Sequence, residues 1–333
     1  MQAKQIKLLD CTLRDGGYVN NWHFGEKFIE KIISDLINSK IDFIEVGYLR
    51  DDYFSDDYSL FSIQNNFLKY KKFASKIAFM IDFEKINQLN LFKNIEKFKD
   101  FTLRIAFKRP NLKNALDFSK KLVEAGCNIS LNPMHTINYS EDEIDYLIKK
   151  TNEIMPSSIV IVDTNGQMIK NDILYLSEYF DKNLKSEIIL GFHSHNNLDL
   201  SYENAKIFLE NLKNRDIILD ASLYGMGRGA GNLKTEEIVS FLNEKHKKEY
   251  KINIIKELIK TFIFPIYQIN PWFLTEQHKI VAINKCHPNY ASYFLKNNID
   301  DINFCEYVLK NIPKNYKDVY NEELISQICK CGV

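Results

Sequence analysis

The sequence lacks any excess of charge: Lys+Arg and Asp+Glu each number 44 in 333 residues. A surface so balanced argues against an extended nucleic-acid interface. No stretch approaches the roughly 18 consecutive apolar residues that a membrane helix needs. The start, "MQAKQIKLLDCTLRDGG", has neither the apolar core nor the cleavage site of a signal peptide, so no membrane association is expected. Cysteine is sparse and scattered (Cys11, Cys127, Cys286, Cys305, Cys329, Cys331), with one close pair in the terminal "CKCGV". Neither a zinc-finger spacing nor a disulfide framework emerges, and a reduced cytoplasmic protein is the expectation. Also missing are a Gly-rich dinucleotide turn after the first strand-like run and any repeat at the level of sequence. What is plentiful is core: 45% of residues are hydrophobic, enough for one large domain and a small appendage.

Eight apolar, β-branched-rich runs recur in the first 225 residues: 6–10, 42–48, 77–82, 101–107, 128–133, 158–163, 188–195 and 217–223. Their near-continuous hydrophobicity suits parallel strands covered on both faces. Amphipathic segments separate them. In 25–40, Phe28, Ile29, Ile32, Ile33, Leu36 and Ile37 form one apolar stripe. Segment 115–126 ends at Gly126, a helix stop, and 140–154 opens with Ser140 and Glu143 in capping-box spacing. Helices are expected after the remaining strands too, the last over 234–246. Eight alternating units predict a closed (β/α)8 TIM barrel over 1–245, with an open doubly wound sheet the weaker alternative. The polar run 243–251 closes it. Residues 250–333 read as an α-helical extension too rich in Phe, Ile and Tyr for a solvated tail. It is expected to pack on the barrel or to join copies of the chain into a homo-oligomer.

The chemistry of such a barrel lies at the C-terminal ends of its strands. In "LGFHSHNNLDL" (190–200), His193 and His195 stand two apart on a strand, hence on one face about 7 Å apart along the chain. A satisfied buried pair and two ligands of one metal are both open readings of that stretch alone. The other ends carry Arg14 and Asp15 after strand 1, Glu45 on strand 2, Arg104 on strand 4, Asn132 on strand 5 and Asp163 on strand 6. Strand 8 leads into "YGMGRGAGN", ending at Asn232. Any one of these residues would more often cap a loop than react; so many together point to a site. Closure brings strands 7, 8 and 1 side by side, which would converge Asp15, His193, His195 and Asn232 on one sector of the mouth. That mixed N/O set favours Mn²⁺ or Mg²⁺ over Zn²⁺, with no thiolate at hand. The Gly-rich loop is readable either as an anion-binding nest or as a tight turn bringing backbone close to the metal.

With "TLRDG" after strand 1, "IEVG" on strand 2, "HSHN" on strand 7 and "GAGN..TE" after strand 8, the chain resembles the DRE-TIM metallolyase superfamily over roughly residues 6–245. "TLRDGG" and "GMGRGAGN" place it nearest the 4-hydroxy-2-oxovalerate aldolase branch. The resemblance implies metal ligation by Asp15, His193 and His195. Asn232 matches a ligand position of the acyl-CoA branches, and Arg14 an arginine that steadies the enolate oxygen. Where the aldolases carry a proton-transfer histidine, this chain has Tyr18; His23, five residues on, is the alternative. Glu45, Arg104, Asn132 and Asp163 are the candidates for substrate contacts. The implied activity is a metal-dependent, class II-type aldol reaction between a small 2-oxo acid such as pyruvate and an aldehyde. A Claisen-type acyl-CoA enzyme and a non-catalytic scaffold are the alternatives. The C-terminal 80 or so residues, with "CHPNYAS", do not obviously match the branch's partner-docking domain.

Overall fold

The computed structural model describes residues 4–331 apart from 53, 65 and 66. Among the described residues there are nine parallel strands: β1 (Ile6–Asp10), β2 (Phe43–Arg50), β3 (Leu60–Ser62), β4 (Ile77–Asp82), β5 (Thr102–Phe107), β6 (Asn128–Pro133), β7 (Ser158–Asp163), β8 (Ile189–Ser194) and β9 (Ile217–Ala221). Their order is β1-β9-β8-β7-β6-β5-β4-β2, and pairing of β1 with β2 (Leu9 opposite Phe43) closes the expected eight-stranded barrel. The eight barrel strands are the eight apolar runs, within a residue or two at most ends.

One unit departs from expectation. After β2 the chain forms the short β3, which pairs with the outer end of β2 (Tyr48 opposite Leu60), and then a 3-10 helix over Leu68–Lys76, not an α-helix. The junction needs Gly47, where the register of β2 against β4 shifts and φ is 149°. A Cβ there would stand 1.9 Å from the Ser59 carbonyl oxygen, so only glycine fits.

The helix Glu26–Asn38 buries Ile29, Ile32, Ile33 and Leu36 against the sheet, with Phe28 and Ile37 at the margins of the core. Ser140 and Glu143 make the anticipated capping box at the head of Glu141–Ile154. Beyond the barrel, Ile255, Leu258, Ile263 and Trp272 still belong to the barrel's core, so the first helices of the C-terminal extension pack directly on it. A second, smaller core (Val281, Tyr290, Phe294, Val308, Ile325) holds the remaining helices together. Among the described residues no helix is long and apolar enough to cross a membrane.

Candidate active site

Inside the barrel, side chains alternate with period two, and residues of one parity line the lumen. On β6, Asn128 and Ser130 line the floor and Asn132 the mouth; on β7, Ser158 and Val160 line the floor and Val162 the mouth. The mouth cavity is ringed by Arg14, Asp15, Tyr18, Tyr48, His193, His195 and Arg228.

Strands β1, β9 and β8 deliver the acidic and imidazole groups. Asp15, His193 and His195 are all buried, and each offers one ligand atom within 4.8 Å of the others. His193 Nδ1 lies 3.1 Å from Asp220 Oδ2, which leaves Nε2 as the nitrogen available to an ion. His195 Nε2 lies 3.9 Å from Asp15 Oδ2, while its Nδ1 is buried without a hydrogen-bond partner. Burial pushes the His195 imidazole down to about 3, against the pull of Asp15, so it is neutral and ready to ligate. Burial alone would raise Asp15; the Arg14 guanidinium beside it outweighs that and holds the carboxyl well below the usual carboxylate range.

Asn232 reaches the same point from the glycine-rich loop. Its Nδ2 donates to Asp15 Oδ2 (2.7 Å) and to the Met226 carbonyl (3.1 Å), and its Oδ1 is buried with no partner. Gly227 makes room: a Cβ there would meet Asn232 Nδ2 at 2.4 Å and Asp15 Oδ2 at 3.1 Å. The loop therefore acts here as a tight turn bringing backbone against the cluster. A deprotonated carboxylate, two imidazoles and an orphaned amide oxygen form a donor set that fits a divalent cation of mixed N/O preference.

Behind this cluster runs a buried belt of charge. Asp220 accepts from Arg104 Nη2 (2.5 Å), Arg104 Nη1 pairs with Glu45 Oε1 (3.1 Å), Glu45 Oε2 accepts from Arg14 Nε (2.6 Å) and Arg14 Nη1 reaches Asp15 Oδ1 (2.5 Å). Two guanidinium groups and two carboxylates thus link His193 to Asp15 through five strands or their ends.

The belt corrects part of the expected substrate shell. Glu45 and Arg104 do not line the mouth cavity, because both sit in mid-strand and are bound to one another. Asp163 does not line it either: on the opposite parity to Val162, it accepts from the backbone N–H groups of Gln167 and Met168. Asn132 does line the mouth, and accepts from Arg104 Nη2 at 2.8 Å.

His23 is also elsewhere. Asn21 and Trp22 adopt left-handed backbone (φ 53° and 60°), and the turn carries His23 out to an exposed position against the Tyr58 ring, 4.9 Å away. Tyr18 stays at the mouth. Its hydroxyl is 2.9 Å from that of Tyr48, and its ring meets Trp22 edge-on at 4.7 Å. Tyr48 is buried, which raises its phenol well above the ordinary value. Tyr48, Asp220 and Arg228 escaped the sequence reading. For Asp220 the period-two parity of "IILDASL" was the available signal; for Tyr48 the bulge at Gly47 shifts the parity and hides it.

Residues 96–261 match the family described as HMGL-like. The oxaloacetate decarboxylase of Mycobacterium tuberculosis is 24% identical over 278 residues, 80% of each chain. The 4-hydroxy-2-oxovalerate aldolase of Geobacillus genomosp. 3 is 25% identical over 252 residues, 73% of this chain and 72% of that one. Among solved structures, the N-terminal domain of a candidate aldolase from Bacteroides vulgatus superposes with a TM-score of 0.75 at 25% identity, over 87% of this chain and 96% of that one.

Proposed function

This chain carries an HMGL-like domain of the DRE-TIM lyase type, and from that premise we propose that it is a metal-dependent aldolase joining or splitting a small 2-oxo acid, such as pyruvate, and an aldehyde. The observation that carries the reading is the mouth itself: three convergent ligand atoms with Arg14 beside them. Asp15, His193 and His195 would hold the ion, Mn²⁺ or Mg²⁺ ahead of Zn²⁺, with Asn232 Oδ1 as a further donor. Bound there, it supplies a Lewis acid that polarises the 2-oxo group.

The chain's own residues do the rest. Arg14 spends Nε and Nη1 on Glu45 and Asp15, and no hydrogen bond within the described residues engages Nη2. Nη2 donates to the oxygen on which enolate charge develops, a fixed donor of a kind worth about 3–4 kcal/mol. As C3 of the enolate bonds to the aldehyde carbon, the carbonyl electron pair becomes an alkoxide and takes a proton from the Tyr18 hydroxyl. Tyr48, held protonated by burial, donates to the Tyr18 oxygen left behind. Cleavage runs the same path backwards.

The likeness to an oxaloacetate decarboxylase favours a second reading on the same site, since loss of CO2 from a 2-oxo dicarboxylic acid also leaves an enolate and needs no alkoxide proton transfer. Exchange of the pyruvate C3 hydrogens into deuterated water, dependent on added Mn²⁺, tests the enolate common to both. Tyr18→Phe separates them: under the aldolase reading it slows aldol cleavage by tenfold or more while exchange falls much less. An unchanged cleavage rate removes Tyr18 from the mechanism.

A further inference from the structure

The mouth cavity is small, about 50 Å³, whereas the groove beside it measures about 890 Å³. The two share Tyr18 and Arg228. The groove runs from these residues outward between the barrel and the C-terminal helices, whose Trp272, Asn289, Ser292 and Lys296 form its far wall. A 2-oxo acid of pyruvate's size suits the inner space; anything longer attached to its reaction partner must extend into the groove.

Arg228 stands at the junction of the two. Its guanidinium lies 5.0 Å over the Tyr18 ring, and its Nη1 is 3.5 Å from His287 Nε2, a residue of the C-terminal "CHPNYAS" segment. Among the described residues it forms no ion pair, and its Nε is buried without a partner. Burial, reinforced by Arg228 itself, pushes the His287 imidazole down to about 2. His287, whose Nδ1 accepts from the Asn289 backbone N–H (3.2 Å), is therefore a neutral neighbour of the guanidinium that does not compete for an anion. A half-buried arginine with no counter-ion presents a planar fork suited to carboxylate or phosphate.

We infer that the aldehyde of the proposed reaction carries an anionic group, carboxylate or phosphate, which lies in the groove between the barrel mouth and the C-terminal helices and is anchored by Arg228. The inference rests on the aldolase reading and adds the class of its second substrate. Of the chain's two tryptophans, Trp22 packs against Tyr18 and Trp272 lines the groove, so ligand entry is readable as a change in intrinsic fluorescence.

Unreactive alcohol counterparts of the aldehydes serve as probes: 4-hydroxybutyrate against butan-1-ol, and glycerol 3-phosphate against glycerol, each titrated into the full-length protein with Mn²⁺. At least one charged probe is expected to bind tenfold or more tightly than its neutral partner, and which one does so identifies the anion. In Arg228→Gln that preference should shrink to within twofold, with Arg228→Lys intermediate. Binding of both charged probes no tighter than their neutral partners overturns the inference, as does a preference that survives in Arg228→Gln. The preference is a ratio within one protein, so partial loss of folded material does not mimic it. The titration requires no turnover: missing pyruvate exchange counts against the aldolase reading, whereas exchange without a charge preference counts against this inference alone.

Discussion

The two ends of the barrel lumen make an instructive pair. At the floor lies a cavity of about 180 Å³, lined by Leu9, Phe43, Ala78, Val160, Ile189 and Ile218 with the Ser130–Ser158 hydroxyl pair. At the mouth the free space is about 50 Å³, yet it is ringed by a carboxylate, two imidazoles, two arginines and two phenols. The roomier end is the chemically quieter one. Of the floor's charged residues, Arg104 and Asp220 pair with each other and Lys7 lies over the Phe43 ring, whereas at the mouth the ligand atoms of Asp15, His193 and His195 converge within 4.8 Å of one another. Volume measures how well side chains fill a layer; convergent donor atoms mark where a layer can hold an ion.

That contrast is open to direct attack, beginning with the largest effect. Asp15→Ala and His193→Ala should each abolish Mn²⁺ binding by calorimetry and lower pyruvate exchange by a thousandfold or more, with the cooperative thermal transition retained. Parental Mn²⁺ affinity in both variants would remove the trio as the metal site. Next comes Arg14→Lys, which keeps the charge but loses the fork spanning Glu45, Asp15 and the reacting oxygen. Exchange should fall about a hundredfold, in line with the loss of one fixed donor, and Mn²⁺ affinity should change only a few-fold. Equal exchange in this variant would take Arg14 out of the chemistry.

A smaller effect tests the placement of Asp163 outside the lumen. Burial pushes its carboxyl up to about 7, against the backbone hydrogen bonds from Gln167 and Met168. A folded-state value above the unfolded one, about 3.9, means that the stability gained from the held proton is complete below pH 4. It is lost as the pH rises through 7. Asp163→Asn removes that dependence, so the melting temperature of the variant relative to the parent should rise between pH 5 and pH 8. A constant difference across that range would contradict the assignment. The smallest effect belongs to the floor: Ala78→Val adds methyl groups to a void and should stabilise by about 1 kcal/mol or less, leaving exchange at the parental rate. A large fall in exchange would show that the two ends are not independent.

Much of this was legible in the sequence because it depends on period and closure. Continuous apolar runs announce parallel strands, and a closed ring places the ends of β8, β9 and β1 together whatever their separation in the chain. His193, His195 and Asp15 could therefore be grouped without coordinates. Depth was harder. Glu45 and Arg104 read as polar residues near strand ends, but each stands third in its strand and points into the middle of the barrel, where only an opposite charge suits it. Asp163 carried a usable warning, since it follows Val162, whose parity faces the lumen. His23 carried none: two consecutive left-handed residues, neither of them glycine, turn the loop away, and nothing in "NNWHF" requires that. Nor does any local pattern bring Arg228 to His287, because that contact depends on how the C-terminal helices dock.

The belt from His193 through Asp220, Arg104, Glu45 and Arg14 to Asp15 bears on how such a protein can change over generations. Removing either arginine leaves a carboxylate, Asp15 or Asp220, without its guanidinium in a dry interior, a loss of about 3–5 kcal/mol out of the roughly 5–15 by which a domain is stable. A lineage therefore crosses the belt only by exchanging both partners of a link, or not at all. Tyr18 sits outside the belt on an exposed loop, bound through one hydroxyl and a ring edge, and single substitutions there leave every buried charge paired. New chemistry can be tried at that loop one residue at a time, over a buried charge belt that inheritance holds nearly fixed.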